Sequence, residues 1–213
     1  MKKTIAAVVC AAAAALSVQA HAEDAKVLRM ACESTYAPFV FFDSETGKLK
    51  GFEIDLLEYV AKEMGRKLEV TNMGFDAIIP SMLTGITDVG ASAFTITPER
   101  AKRVLFSKPY YISGLSILVR AEDKDKIKSV KDIENCTICA QIGTSGSMRA
   151  AKVPGAKVRN FNTINDAYLE LGNKGCKAVI TDRPVTAYFL AVRPETAKTY
   201  YRLPTVLNSE SFG

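Results

Sequence analysis

The sequence predicts an α/β chain built from two successive β-α-β-α-β units. Short apolar and β-branched runs alternate with helically spaced apolar residues, first over residues 27–92 and again over residues 136–190. Most of these runs end in a polar turn that opens a helix, the order that yields parallel sheets with helices on their faces. Between the units lies a long β-rich run, Tyr110 to Arg120, interrupted by Gly114 and read as crossing from one unit to the other.

Ahead of the first unit stands an export leader. Lys2 and Lys3 are a basic start, Thr4 to Val18 is apolar and rich in alanine, and Ala20-His21-Ala22 is a small-x-small cleavage site, so cleavage is expected after Ala22. The apolar stretch is short for a bilayer span. Cys10 follows Val8 and Val9 instead of a small residue, which argues against lipidation. The expected product is therefore exported and diffusible in a periplasm.

The whole chain has 213 residues, 48% hydrophobic and 24% charged, enough for one large domain or two small lobes. Losing Lys2 and Lys3 lowers the formal charge of +5 by two, too little and too dispersed for a nucleic-acid partner. The one histidine, His21, leaves with the leader. Without it there is no Ser-His or Cys-His nucleophile pair and no histidine metal site, so neither metal nor cofactor is expected. Cys32, Cys136, Cys139 and Cys176 remain in a compartment that permits disulfides. Cys136 and Cys139 have CxxC spacing but run into a strand, which favours buried residues over a redox pair.

Val27 to Cys32 reads as the first strand, ending in Glu33-Ser34-Thr35-Tyr36-Ala37-Pro38-Phe39. Open α/β sheets place ligands at such strand C-termini, so Glu33 and Tyr36 are candidate contacts. A hairpin is expected from Val40 to Lys50. A helix follows from Gly51 through Met64, stopped by Gly65, with Leu56, Leu57, Val60, Ala61 and Met64 on its apolar face. Glu53 and Asp55 suit its positive first turn. Lys67 to Thr71 is the second strand, Asp76 the expected cap of a helix through Leu83, and Thr87 to Ser92 the third strand. Glu122 to Lys128 reads as a solvated loop. In the second unit, Cys136 to Ile142, Lys157 to Phe161 and Lys177 to Thr181 are strands. Gly143-Thr144-Ser145-Gly146-Ser147 turns into a helix, Asn162 to Asp166 starts another with Gly172 as its stop, and Asp182 is placed to cap the helix that Pro184 begins.

The stretch Ala91 to Arg100 carries the chemistry. Thr97 is a good N-cap and Pro98 a good first helical residue. Arg100 then falls in the first turn, where the helix dipole is already positive. A guanidinium, backbone N–H groups and the Thr95 and Thr97 hydroxyls make a receptor for a carboxylate, or simply a capped helix with a solvated arginine. The Gly143–Ser147 turn is a second anion-friendly helix start, and it lacks the Gly-Lys-Ser/Thr of a P-loop. Facing each other across a cleft, the units offer a cation at Arg100 and an anion at Asp182, which matches the two ends of a free α-amino acid.

Seven motifs in order extend this reading: Ala37-Pro38-Phe39, Gly51-Phe52-Glu53-Ile54-Asp55-Leu56, Phe75-Asp76-Ala77-Ile78-Ile79-Pro80, Thr95-Ile96-Thr97-Pro98-Glu99-Arg100, Phe106-Ser107-Lys108-Pro109-Tyr110-Tyr111, Gly143-Thr144 and Val179-Ile180-Thr181-Asp182. On these the chain resembles the periplasmic amino-acid-binding proteins of ABC importers, the family-3 solute-binding proteins, nearest in look to the glutamine- and lysine/arginine/ornithine-binding members. The resemblance implies a two-lobed type II binding protein, each lobe a mostly parallel sheet flanked by helices, closing at two hinge strands. Residues 1–22 would be the signal peptide, 23–110 the first lobe, 111–114 the first crossing, 115–208 the second lobe and 209–213 the start of the second crossing strand. Family members continue beyond this point and usually end near a tryptophan. The sequence has none, so it reads as C-terminally truncated.

By the same resemblance Arg100 would pair with the ligand carboxylate, assisted by the N–H groups of Thr95 and Ser145 beside Thr144. Asp182, the Ala93 carbonyl and the Thr95 hydroxyl would hold the ammonium. Tyr36 and Phe75 would sandwich the ligand side chain, and Glu33, Gln141 and Thr181 would meet its far end. Ala93 stands where the family usually has glycine. Glu33 and the two aromatic faces favour a cationic ligand, arginine before lysine or ornithine, while Gln141 leaves glutamine open. An ABC permease would be the partner and the protein a monomer. Cys136 and Cys176 each lie five positions before a pocket residue, so a bridge between them is an option if their strands are neighbours. The alternatives are an exported cyclohexadienyl dehydratase-like enzyme with Glu33 as its acid, and the sensor module of a membrane receptor.

Overall fold

A computed structural model describes residues 26–192 and 194–213. The expected leader and its cleavage site lie outside them. Strand β1 (Val27–Cys32) is the centre of the first sheet. It pairs in parallel with β5 (Lys67–Asn72) on one side and β6 (Val89–Gly90) on the other, giving the order β5-β1-β6. Between β1 and β5 the chain folds a small antiparallel sheet from β2 (Thr35–Tyr36), β3 (Val40–Phe42) and β4 (Leu49–Lys50). Alternation along β1 sets the layers, because successive side chains leave opposite faces. Leu28, Met30 and Cys32 pack with Ile54, Leu57 and Ala61 of helix α1 (Phe52–Glu63). Ala31 packs with Phe75, Ile78 and Ile79 of helix α2 (Phe75–Leu83).

The second sheet has the order β10-β9-β11-β8-β12. Strands β9 (Thr137–Gln141), β10 (Lys157–Phe161) and β11 (Ala178–Asp182) run parallel. Strands β8 (Leu115–Arg120) and β12 (Tyr200–Arg202) are antiparallel to them or to each other. All six residues of β8 are buried. Ile117, Val119 and Ile180 join one core cluster with Ala150 of helix α4 (Ser145–Ala150). Leu118 and Val179 face the other way, onto Ile164, Ala167 and Leu171 of helix α5 (Ile164–Gly172) and Val185 of helix α6 (Arg183–Val192). The sheet is mixed because β8 enters from the crossing and so runs against β11.

The crossing itself is a two-stranded ribbon. β7 (Tyr111–Ser113) pairs antiparallel with β13 (Glu210–Phe212), and Thr95 bridges to Phe212, which ties the ribbon to the first lobe. The break at Gly114 has a steric reason: a Cβ there would sit 2.2 Å from the Asn208 carbonyl oxygen. Gly114→Ala is expected to destabilise the protein by about 1–3 kcal/mol through this overlap. Urea unfolding checks it, and an unchanged midpoint would show that the ribbon yields freely.

Several expectations are corrected. Asp76 does not cap α2: Gly74 stands at that position, and Asp76 falls inside the first turn, where its charge suits the helix dipole. The third strand shrinks from residues 87–92 to Val89–Gly90, since the backbone turns into a left-handed conformation at Ala93, φ 50°. The Glu122–Lys128 stretch is not simply solvated. Asp123 is buried between Arg120, at 2.5 Å, and Lys177, at 3.1 Å, while Ile127 enters the core. The bridge option between Cys136 and Cys176 is also wrong in one partner. The disulfide joins Cys139 to Cys176, whose Cα atoms are 6.0 Å apart, and Cys136 is free. β9 and β11 are indeed parallel neighbours, but Cys139 is the cysteine of the CxxC pair that is fully buried against this cluster.

Candidate functional site

Helix α3 (Pro98–Ala101) begins as its sequence predicts: Thr97 accepts the Arg100 N–H at 3.2 Å, and Pro98 is the first helical residue. A cap of this kind is worth about 1 kcal/mol and fixes where the first turn points. Arg100 is only 8% exposed. Its Nη1 donates to the Thr95 carbonyl at 2.8 Å, and its Nη2 donates across the lobes to the Gly143 carbonyl at 3.0 Å. The guanidinium lies 5.4 Å from the Phe75 ring centre and 5.2 Å from that of Phe94. Those rings stack on each other at 4.4 Å. Burial pulls the Arg100 pKa down, and the charges of Glu210 and Asp182 oppose that. Two carbonyls take two of the five N–H donors, a fork that also suits a carboxylate.

Asp182 closes β11 and is 3% exposed. Its carboxylate accepts the Tyr36 hydroxyl at 2.5 Å and the Ser113 hydroxyl at 3.1 Å. Burial pushes its pKa up to about 7, and the charge of Glu210 adds to the rise, while Tyr36, Ser113 and Arg100 work against it. Tyr36 comes from the first lobe and also meets the Thr181 hydroxyl at 3.0 Å, so it spans the gap. Opposite it, Thr144 caps α4 by accepting the Ser147 N–H. Gly146 lets that helix settle on β11, since a Cβ there would lie 2.4 Å from the Ile180 carbonyl oxygen.

These groups line one small crevice: Tyr36, Phe75, Ala93, Thr95, Arg100, Thr144, Ser145 and Asp182, together with Ser92. Eight of the eleven residues picked from the sequence thus meet there. Glu33, Gln141 and Thr181 are outside its lining, beyond Tyr36. Gln141 Nε2 donates to Glu33 across the lobes at 2.9 Å and to the Asn162 carbonyl at 3.0 Å. Its Oε1 is buried and has no hydrogen-bond partner among the described residues. Burial raises the pKa of Glu33 against hydrogen bonds from Gln141 and Thr35.

Two carboxylates escaped the sequence reading. Glu53 looked like a dipole-matched first-turn residue, yet it is fully buried. It accepts the Ala93 N–H at 2.9 Å and the Tyr110 hydroxyl, and so braces the left-handed turn below the crevice. Burial pushes its pKa up to about 7. A signal was present, since Glu53 and Tyr110 each sit in one of the seven motifs. Glu210 had none; it sits against the Thr95 and Ser145 hydroxyls through β13.

Two α/β lobes on a paired ribbon, with a polar crevice between them that carries opposite charges, make this a two-lobed solute-binding protein. The chain belongs to the bacterial extracellular solute-binding proteins, family 3, whose model matches residues 28–190. It is 33% identical over 173 residues to a probable histidine-binding protein of Campylobacter jejuni, a match covering 81% of this chain and 66% of that protein. Among solved structures it resembles a Gly52Ala mutant of arginine-bound ArgBP from T. maritima, with TM-score 0.83, 35% identity, and 90% and 87% of the two chains covered. It also resembles the ancestral amino acid-binding protein AncCDT-1, a precursor of cyclohexadienyl dehydratase, with TM-score 0.80, 37% identity, and 88% and 80% covered. These relatives are named for binding.

Proposed function

We propose that the protein binds one free L-α-amino acid in this crevice and passes it to an ABC permease from the periplasm. The supporting observation is that a guanidinium and a carboxylate, carried by different lobes, line one small space. A zwitterion satisfies both poles only when the lobes meet, so binding drives closure. On this reading residues 23–110 and 115–208 are the lobes, 111–114 and 209–213 the crossings, and a single chain supplies the whole site.

Within that class we favour a cationic side chain, arginine first, then lysine or ornithine. Glu33 offers a carboxylate at the far end, and the buried Gln141 Oε1 lacks a donor that a guanidinium or ammonium would bring. The ArgBP structure holds arginine and the Campylobacter relative is named for histidine, both nitrogen-bearing side chains. Glu33→Gln is expected to weaken arginine binding by roughly tenfold or more, the value of one charge-assisted hydrogen bond, while sparing glutamine. Calorimetry checks it, and equal arginine affinity in the variant would refute the charge argument.

The likeness to AncCDT-1 keeps one enzymatic reading in view, with Glu33, its carboxyl raised by burial, as the acid. Incubation with prephenate or arogenate decides: an aromatic product supports that reading, and unchanged substrate removes it.

A further inference from the structure

Glu210 stands on β13, the second crossing strand, paired with Ser113. One of its carboxylate oxygens, Oε2, accepts two hydroxyls at once: Thr95 Oγ1 from the first lobe at 2.8 Å and Ser145 Oγ from the second at 2.8 Å. Those two hydroxyl oxygens are 3.2 Å apart. The other oxygen, Oε1, accepts the Asn208 amide at 2.8 Å, which holds the carboxylate in place. Hinge and both walls of the crevice therefore converge on a single atom.

We propose that Glu210 is a positioning residue that latches the lobes and sets the polarity of the crevice. Opening the lobes must pull Thr95 and Ser145 apart, so one carboxylate oxygen holds both only in the closed form. Hydroxyls that spend their protons on Glu210 show lone pairs to the crevice. They then accept from a ligand ammonium and leave its carboxylate to Arg100. The effect of Glu210 on affinity rests on the crevice holding an amino acid; its effect on closure does not.

The test compares wild type, Glu210→Ala and Glu210→Gln by small-angle X-ray scattering without ligand and by stopped-flow measurement of arginine exchange. Glutamine keeps an acceptor oxygen and alanine keeps none. In the ligand-free protein the radius of gyration is expected to rise in the alanine variant and to return largely to the wild-type value with glutamine. Arginine koff is expected to rise about tenfold or more in the alanine variant with kon little changed, and by less with glutamine. If the alanine variant does not fold, a raised koff or radius of gyration in the glutamine variant supports the latch. Variants that merely melt earlier, with wild-type dimensions and koff, overturn it. A wild-type protein that binds no amino acid, beside an alanine variant that expands, supports the latch and refutes the binding reading. Wild-type arginine binding with unaltered variants does the reverse.

Discussion

Arg100→Ala abolishes binding of every amino acid the wild-type protein holds, an expected loss of at least about a hundredfold in Kd. The carboxylate is common to all such ligands, so the loss does not depend on the side chain. Two charge-assisted hydrogen bonds at roughly 1.5–3 kcal/mol each set the size of the effect. The alanine variant also loses the links to the Thr95 and Gly143 carbonyls and the contact with Phe75 and Phe94. Arg100→Lys separates the two effects, because it keeps the charge and loses the planar fork. It is expected to fold and still bind at least about tenfold more weakly. Calorimetry across the common amino acids checks both, with thermal melting as the folding control. Loss confined to one ligand would contradict the role given to Arg100.

Asp182→Asn is expected to weaken binding by roughly ten- to a hundredfold, since on the proposed reading an amide replaces the charge that would meet the ammonium. The same residue gives the wild type a pH dependence. Burial pushes the Asp182 pKa up to about 7, against the opposing pull of Tyr36, Ser113 and Arg100. A bound ammonium favours the ionised carboxylate, so binding expels a proton below that pH. Affinity therefore falls as pH drops through about 7, by up to about tenfold per unit, and levels above it. Folding stability has the opposite slope. A carboxyl raised above its unfolded value of about 3.9 binds more protons in the native state, so its contribution declines from about pH 4 to 7. Glu53, also pushed up to about 7, adds the same slope to stability. Asp182→Asn should thus flatten the affinity profile and leave part of the stability profile. Titration at several pH values checks the first, and denaturation across the same range the second.

Periodicity was enough to locate most strands and helices of both lobes, because amphipathic spacing and capping are local. Thr97 and Pro98 are read in place for that reason. Arg100 and Asp182 are already paired across a cleft by the residues alone, whereas bringing Tyr36 to them required tertiary packing, which the resemblance supplied in advance. Glu53 does stand in the first turn as read, but its burial was not legible, because a first-turn carboxylate satisfies the helix dipole whether or not another segment covers it. Glu210 follows no periodic pattern and acts through a strand pairing of distant residues. Cys136 stood as one partner of an optional bridge because register is counted along the strands, whereas the disulfide follows the buried side chain of Cys139. Asp123 looked solvated by composition alone, since its partners Arg120 and Lys177 come from other elements.

The sulfur bond between Cys139 and Cys176 has a bearing on how the protein is produced. It closes a separation of 37 residues and ties β9 to the segment leading into β11, the strands that end in Gln141 and Asp182. Such a loop contributes about 3–4 kcal/mol, a large share of a typical domain's net stability. Material folded in a reducing host cytosol lacks this staple, so its far wall is looser and its ligand titrations report a weaker receptor. Purification from an oxidising host strain, or refolding with a glutathione couple, belongs ahead of any comparison of affinities.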